Sequence, residues 1–166
     1  MDNIGQHDGG ILRFAADVML GRTARWLRLL GRDTFYSPDI ADDALLMKSL
    51  LEHRMLLTRD TRLARYAGAA VYLVRANDLW AQLREICNHF AIEPKLSLDI
   101  CPLCNGMLRA VAKDAVVDRV PRYTFLTHNE FYECGACGQI YWEGSHIKFA
   151  EADILQKLIG THENGN

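Results

Sequence analysis

The sequence predicts an α/β fold: a parallel sheet flanked by helices, followed by a small β module. Three observations carry this. Strand-like and helix-like patterns alternate from Arg13 to about Ala91, the mark of a parallel sheet wrapped on both faces. The pattern changes after Pro94, where helical runs give way to short aromatic stretches. Two C-x-x-C pairs then bracket the second part, Cys101/Cys104 and Cys134/Cys137. The expected organisation is a disordered segment 1–10, an α/β domain 11–92, a β module 93–150 and a helix or disordered tail 151–166.

The elements follow in order. RFAAD (13–17) reads as a strand, and MLGRTARWLRLLG (19–31) as a helix closed by Gly31. TFYS (34–37) is the second strand. DDALLMKSLLEHR (42–54) is a helix whose first turn is acidic, where the helix dipole favours negative charge. MLLTR (55–59) is the third strand, TRLARYAG (61–68) a short helix, AVYLVRA (70–76) the fourth strand and DLWAQLREICNHF (78–90) a further helix. The 29 residues between the cysteine pairs imply a β-hairpin insert.

Bulk composition excludes little. Hydrophobic residues make up 49% of 166 and charged residues 24%, an ordinary globular balance with net charge −2. No apolar run reaches the roughly 18 residues of a membrane helix, and the polar start MDNIGQHDGG lacks the apolar core of a signal peptide. A soluble cytoplasmic protein without a membrane partner is the expectation.

Four thiolates in two pairs are the number that closes a tetrahedral zinc site. Cys101, Cys104, Cys134 and Cys137 are therefore the candidate ligands of a structural Zn, and Gly follows closely after each pair. Such a site has no open position, so it folds the module and does not catalyse. Cys87 lies mid-helix and reads as a small buried hydrophobe. His128 and His146 flank the second pair and read as surface or packing residues, with contact to substrate the alternative.

Functional groups of a parallel α/β sheet gather beyond the carboxyl ends of its strands. Asp17, Asp60 and Asp78 fall there, with Asp39 in a loop and Asp42 and Asp43 at a helix start on the same side. Clustered carboxylates repel unless a cation is present, so this rim implies a hard ion such as Mg²⁺ or Mn²⁺. Two such ions can activate water and stabilise the leaving oxygen in phosphodiester cleavage. Helix capping by Asp42, Asp60 and Asp78 is the competing explanation. On the first helix, Arg25, Arg28 and Arg32 share a sector with Arg22 beside it, suited to a nucleic-acid backbone or to water.

Together FAADVMLGRTARWLRLLGRDTFYSPDI, LLTRD, VYLVR, CPLCNG and RVPRYTFLTHNEFYECGACGQIYWEGSH resemble the Mut-seven C-terminal ribonuclease family over residues 11–149. The resemblance implies a PIN-like nuclease domain followed by a zinc ribbon. It implies a metal-dependent ribonuclease whose Mg²⁺ or Mn²⁺ is held by Asp17, Asp60 and one of Asp42 and Asp43, with Asp78 a fourth candidate. Arg22 and Arg25 would meet RNA phosphate, joined by Arg28 and Arg59, while Tyr123, Phe125 or Trp142 of the ribbon would stack on bases or fill its core. The alternative is a non-catalytic RNA- or ribosome-binding module that uses the acids only as caps.

Overall fold

The structure, a computed structural model, describes residues 12–66, 68, 70–142 and 157–158. The expectations for 1–10, for His146 and for most of 151–166 lie outside these residues. Four strands, β1 (Phe14–Ala16), β2 (Thr34–Tyr36), β3 (Met55–Thr58) and β4 (Val71–Leu73), form a parallel sheet in the order β2-β1-β3-β4. Three helices connect them or follow them: α1 (Gly21–Leu29), α2 (Asp42–Leu51) and α3 (Leu79–His89).

The period-2 geometry of a strand sorts its side chains between two cores. Phe14 and Ala16 of β1, with Met55 and Leu57 of β3, join Ala24 and Leu27 of α1 and Leu83 and Ile86 of α3. Ala15 and Leu56, one residue out of phase, pack instead with Leu45 and Leu46 of α2. β1 and β3 are buried throughout, as central strands of a sheet covered on both faces must be. The two alanines of β1 leave room for helices on both sides.

Helix α1 stops as its sequence predicts. Gly31 adopts φ +70°, and Arg32 N–H donates to the Leu27 carbonyl, the Schellman arrangement that satisfies the last turn. Its start differs: residues 18–20 form a 3₁₀ turn, and the α-helix begins only at Gly21. A side chain at Gly21 would sit 2.5 Å from the Tyr36 hydroxyl oxygen, so glycine lets Tyr36 close over the turn. The expected helix over 61–68 is corrected to a 3₁₀ turn at Leu63–Arg65. Among the described residues of this segment only Leu63 is buried, too little apolar surface to hold a longer helix.

The second sheet is antiparallel, in the order β5 (Leu108–Val111), β6 (Phe131–Cys134), β7 (Ile140–Trp142). The segment between the cysteine pairs is more than a hairpin. A 3₁₀ turn at Lys113–Val116 and a short helix α4 (Arg122–Thr127) separate β5 from β6. RYTFLT was expected to be β-like. Pro121 precedes it with a φ of −56°, and its carbonyl accepts the first helical bond, from Phe125 N–H. Phe125 and Trp142 pack against Val116, Phe131 and Ile140, so both belong to the ribbon core, while Tyr123 is 77% exposed.

Candidate functional site

The carboxyl ends of β1 and β3 lie side by side. In the order β2-β1-β3-β4, they flank the point where successive connections leave for opposite faces, the place where open α/β sheets form a crevice. Asp17 continues the ladder, its N–H donating to the Leu57 carbonyl at 3.0 Å. Its side chain is only 4% exposed. Oδ1 accepts from Met19 N–H at 2.6 Å, and Oδ2 accepts from the Thr58 hydroxyl and from Arg59 N–H at 3.2 Å. A carboxylate offers about four acceptor positions, so one on Oδ1 stays unused.

Thr58 joins the two strand-end acids. Its hydroxyl donates to Asp17 and accepts from Asp60 N–H at 2.9 Å. Asp60 then turns the chain, Oδ1 accepting Arg62 N–H at 2.7 Å, and that backbone bond holds its carboxyl below the usual carboxylate range. Thr58 was not singled out in the sequence. A hydroxyl at the end of a buried strand was the available signal, and its value appears only once β1 lies alongside β3.

The other acids are placed differently. Asp78 caps α3, accepting Trp80 and Ala81 N–H at 3.1 and 3.0 Å. Asp42 and Asp43 lie exposed in the first turn of α2, where Asp43 accepts Ala44 N–H at 2.8 Å. Among the described residues, the four cysteines are the one group of three or more His, Cys, Asp or Glu side chains close enough to share an ion.

A polar cavity of about 340 Å³ opens beside Asp17, lined among others by Arg22, Thr23, Tyr36, Arg59, Asn77 and Gln82. Arg59 donates to Asn77 Oδ1 at 2.6 Å, and its Nε is covered without a hydrogen-bond partner among the described residues. Thr23 donates to Gln82 Oε1 at 2.6 Å. Arg22 and Arg25 are exposed. Arg28 is a correction. It is 4% exposed and donates to the carbonyls of Thr34, Pro102 and Leu103 at 2.9, 3.1 and 2.9 Å. Its fork is spent on holding the first cysteine loop to the sheet, so it is not a surface for phosphate.

The cysteine site is built from two matching loops. Cys101 N–H donates to the Gly106 carbonyl and Asn105 N–H to the Cys101 carbonyl; in the second loop Cys134 N–H donates to Gln139 and Gly138 N–H to Cys134. The left-handed residue that each loop needs is Asn105 (φ +67°) in the first and Gly138 (φ +72°) in the second. Gly106 serves close approach instead: a Cβ there would lie 2.8 Å from Cys134 Sγ and from the Ala136 methyl. Gly106→Ala is therefore expected to lower metal affinity about tenfold or more, as loss of an outer-shell support does. Gly135→Ala, with nothing nearer than 3.9 Å, should keep it; titration against a chromophoric chelator reads both.

The donor set fits a metal such as zinc. The four sulfurs lie within 4.8 Å of one another, with Cys101–Cys137 at 3.8 Å and Cys104–Cys134 at 3.4 Å. Tetrahedral Zn–S bonds of about 2.3 Å put sulfurs about 3.8 Å apart. Free thiols this close cannot all ionise. Burial and the neighbouring sulfurs push Cys104 up to about 12, while Cys134, though burial opposes it, comes down to about 7 beside the amides of Cys137 and Ala136. The Tyr141 hydroxyl lies 3.1 Å from Cys101 Sγ, and burial together with that sulfur raises the phenol pKa, so the hydroxyl stays protonated and can donate to the sulfur. His128 caps the end of α4, its Nδ1 lying 3.1 Å from the Thr124 carbonyl.

Asn105 extends the first loop to the α/β domain. Its Oδ1 accepts Thr34 N–H at 2.8 Å, and its Nδ2 donates to Asp33 at 2.6 Å. Asp33 in turn pairs with buried Arg54 at 2.7 Å.

The family model of the Mut7-C RNAse domain matches residues 12–154, from the edge of β1 to beyond β7. The chain belongs to the Mut7-C RNAse domain family. No curated protein and no solved structure matches it. The Mut7-C RNAse domain brings a ribonuclease-type role, with RNA the substrate it implies. None of the helices among the described residues is long and apolar enough to cross a membrane.

Proposed function

We propose that this Mut7-C protein hydrolyses RNA phosphodiester bonds with a divalent ion, Mg²⁺ or Mn²⁺, held at Asp17 and Asp60. One observation carries the reading: a single hydroxyl, Thr58, bonds the Asp17 carboxylate and the backbone N–H of Asp60, tying the two strand-end acids together beside a cavity lined by two arginines. Hard oxygen donors suit either ion, and Mg²⁺ is commonly held by one or two carboxylates together with substrate phosphate. A pair of acids at the rim is enough for that arrangement. When bound, the ion supplies an activated water and charge neutralisation at the phosphate.

The chain's own groups do the rest. Thr58, Met19 and Arg59 fix the Asp17 carboxylate, leaving its unused Oδ1 position for a ligand. Arg22 and Arg59 face the phosphate, with Arg25 further along α1 meeting the chain beyond it. The cysteines hold a structural zinc, and the ribbon widens the RNA surface, with exposed Tyr123 available to a base. A cytoplasmic location goes with this reading, since reduced thiols persist there.

A second reading has its own support: Asp60, Asp78 and Asp43 each accept a backbone N–H at a turn or helix start. On that reading the acids are caps, and the protein binds RNA or the ribosome without cutting it. Labelled RNA with Mn²⁺ separates the two. Cleavage by wild type and its loss in Asp60→Asn supports the nuclease; equal cleavage by both proteins, or binding without cleavage by wild type, sinks it.

A further inference from the structure

The cavity beside Asp17 is larger than a phosphate site needs, and part of its otherwise polar wall is apolar. Its volume, about 340 Å³, reaches the range of small-molecule pockets, roughly 300–1,000 Å³. Besides its polar groups it is lined by Val18, Met19 and Leu79. Val18 and Met19 are 46% and 58% exposed, on the turn directly after Asp17. Apolar side chains at the cavity mouth gain by being covered by a flat apolar group. A hydrated phosphate gains nothing from such walls, whereas a nucleobase does.

The polar lining completes the match. Gln82 is 6% exposed, and its orientation is fixed: Nε2 donates to the Ala76 and Asn77 carbonyls at 3.2 and 3.3 Å, and Oε1 accepts from Thr23. One Oε1 lone pair stays unused. Asn77 lends its Oδ1 to Arg59, which leaves its amide N–H groups as donors. Donor and acceptor therefore line the same space, as a base edge requires, while Arg22 and Arg59 line it too and suit the attached phosphate.

We propose that this cavity is a nucleotide subsite: one base of the RNA enters between Val18, Met19, Leu79 and Tyr36, meets Asn77 and Gln82, and its phosphate rests on Arg22 and Arg59. The proposal rests on the ribonuclease reading, and it adds what sets the register. A seated base fixes which phosphodiester lies at Asp17, because Met19 and Arg59 both line the cavity and hold that carboxylate through their backbone N–H groups.

Amide NMR titrations of the whole protein with cytidine or adenosine 5′-monophosphate, and separately with inorganic phosphate, test this. The mononucleotide should bind at least about tenfold more tightly than phosphate, the scale of one base contact. Thr23, Leu79 and Gln82 amides should shift with the nucleotide and not with phosphate. Asn77→Ala should reduce that preference. Equal affinity for the two ligands, or shifts confined to the arginines, overturns the subsite while leaving the nuclease intact. The titration is repeated on Asp60→Asn, which should still bind the nucleotide. Binding by both proteins with no cleavage of RNA by wild type would sink the nuclease reading and keep the subsite as a nucleotide-binding site.

Discussion

Removing a metal held by Cys101, Cys104, Cys134 and Cys137 is expected to unfold the β5–β7 sheet and to lower the melting temperature of the α/β domain as well. The first half follows from scale. The ribbon has two small cores, one centred on Cys101, Leu108 and Cys134 and one on Val116, Phe131 and Ile140. Structural zinc contributes about 10–16 kcal/mol in small zinc modules, as much as the whole stability of an ordinary domain, about 5–15 kcal/mol. The second half follows from the latch. The first cysteine loop supplies two of the three carbonyls bonded to Arg28, and Asn105 supplies the partners of Thr34 and Asp33. A bond to a charged group contributes about 1.5–3 kcal/mol, and water reaching Arg28 when the loop lifts offsets part of the loss. A net loss of about 2–3 kcal/mol moves the melting temperature by several degrees. Scanning calorimetry with and without a strong chelator reads this, and Cys101→Ser should reproduce it. A chelated protein whose α/β transition stays in place would show that the latch contributes nothing.

Asp17→Asn and Asp60→Asn should both abolish cleavage but differ in stability. Asp17 accepts three hydrogen bonds in a site 4% exposed. An asparagine there sets an NH₂ against Met19 N–H in one orientation and against Arg59 N–H in the other. A buried backbone donor left without a partner costs about 1–3 kcal/mol, so this variant melts earlier. Asp60 is more open and accepts from Arg62 N–H, a bond the asparagine oxygen can keep. Its stability should match wild type, while loss of an ion's charge stabilisation, several kcal/mol, lowers the rate about a hundredfold or more. Thermal melts beside an RNA cleavage assay give both readings. An Asp60→Asn protein that cleaves normally removes the catalytic role of this residue.

The fold class was legible because its signals are local. Alternation of strand and helix patterns needs no partner to be read, and Gly31 ends α1 by its own φ. The two cysteine pairs were legible for a similar reason, since each loop closes on itself through backbone bonds. Where local signals were weak, reading by pattern failed. TRLARYAG looked helical but, among its described residues, buries only Leu63, and RYTFLT looked β-like because its aromatic content outweighed the helix start at Pro121.

Arg28 shows the limit most clearly. Its helical sector placed it with Arg25 and Arg32 on a face open to RNA, and the periodicity of one helix cannot know what docks against it. The ribbon docks there, so the same guanidinium became an internal tether. Thr58 shows the converse. In MLLTRD its hydroxyl is marked only by standing at the end of a buried strand, and it gained a role when β1 and β3 became neighbours and set Asp17 within its reach. By itself the sequence determined the parallel sheet, the ribbon, the cysteine ligands and which acids stand at strand ends, because pattern and spacing belong to the chain. The tertiary structure decided which of those acids meet, which arginine is buried and where the cavity opens, because each depends on surfaces that come together only when distant segments pack.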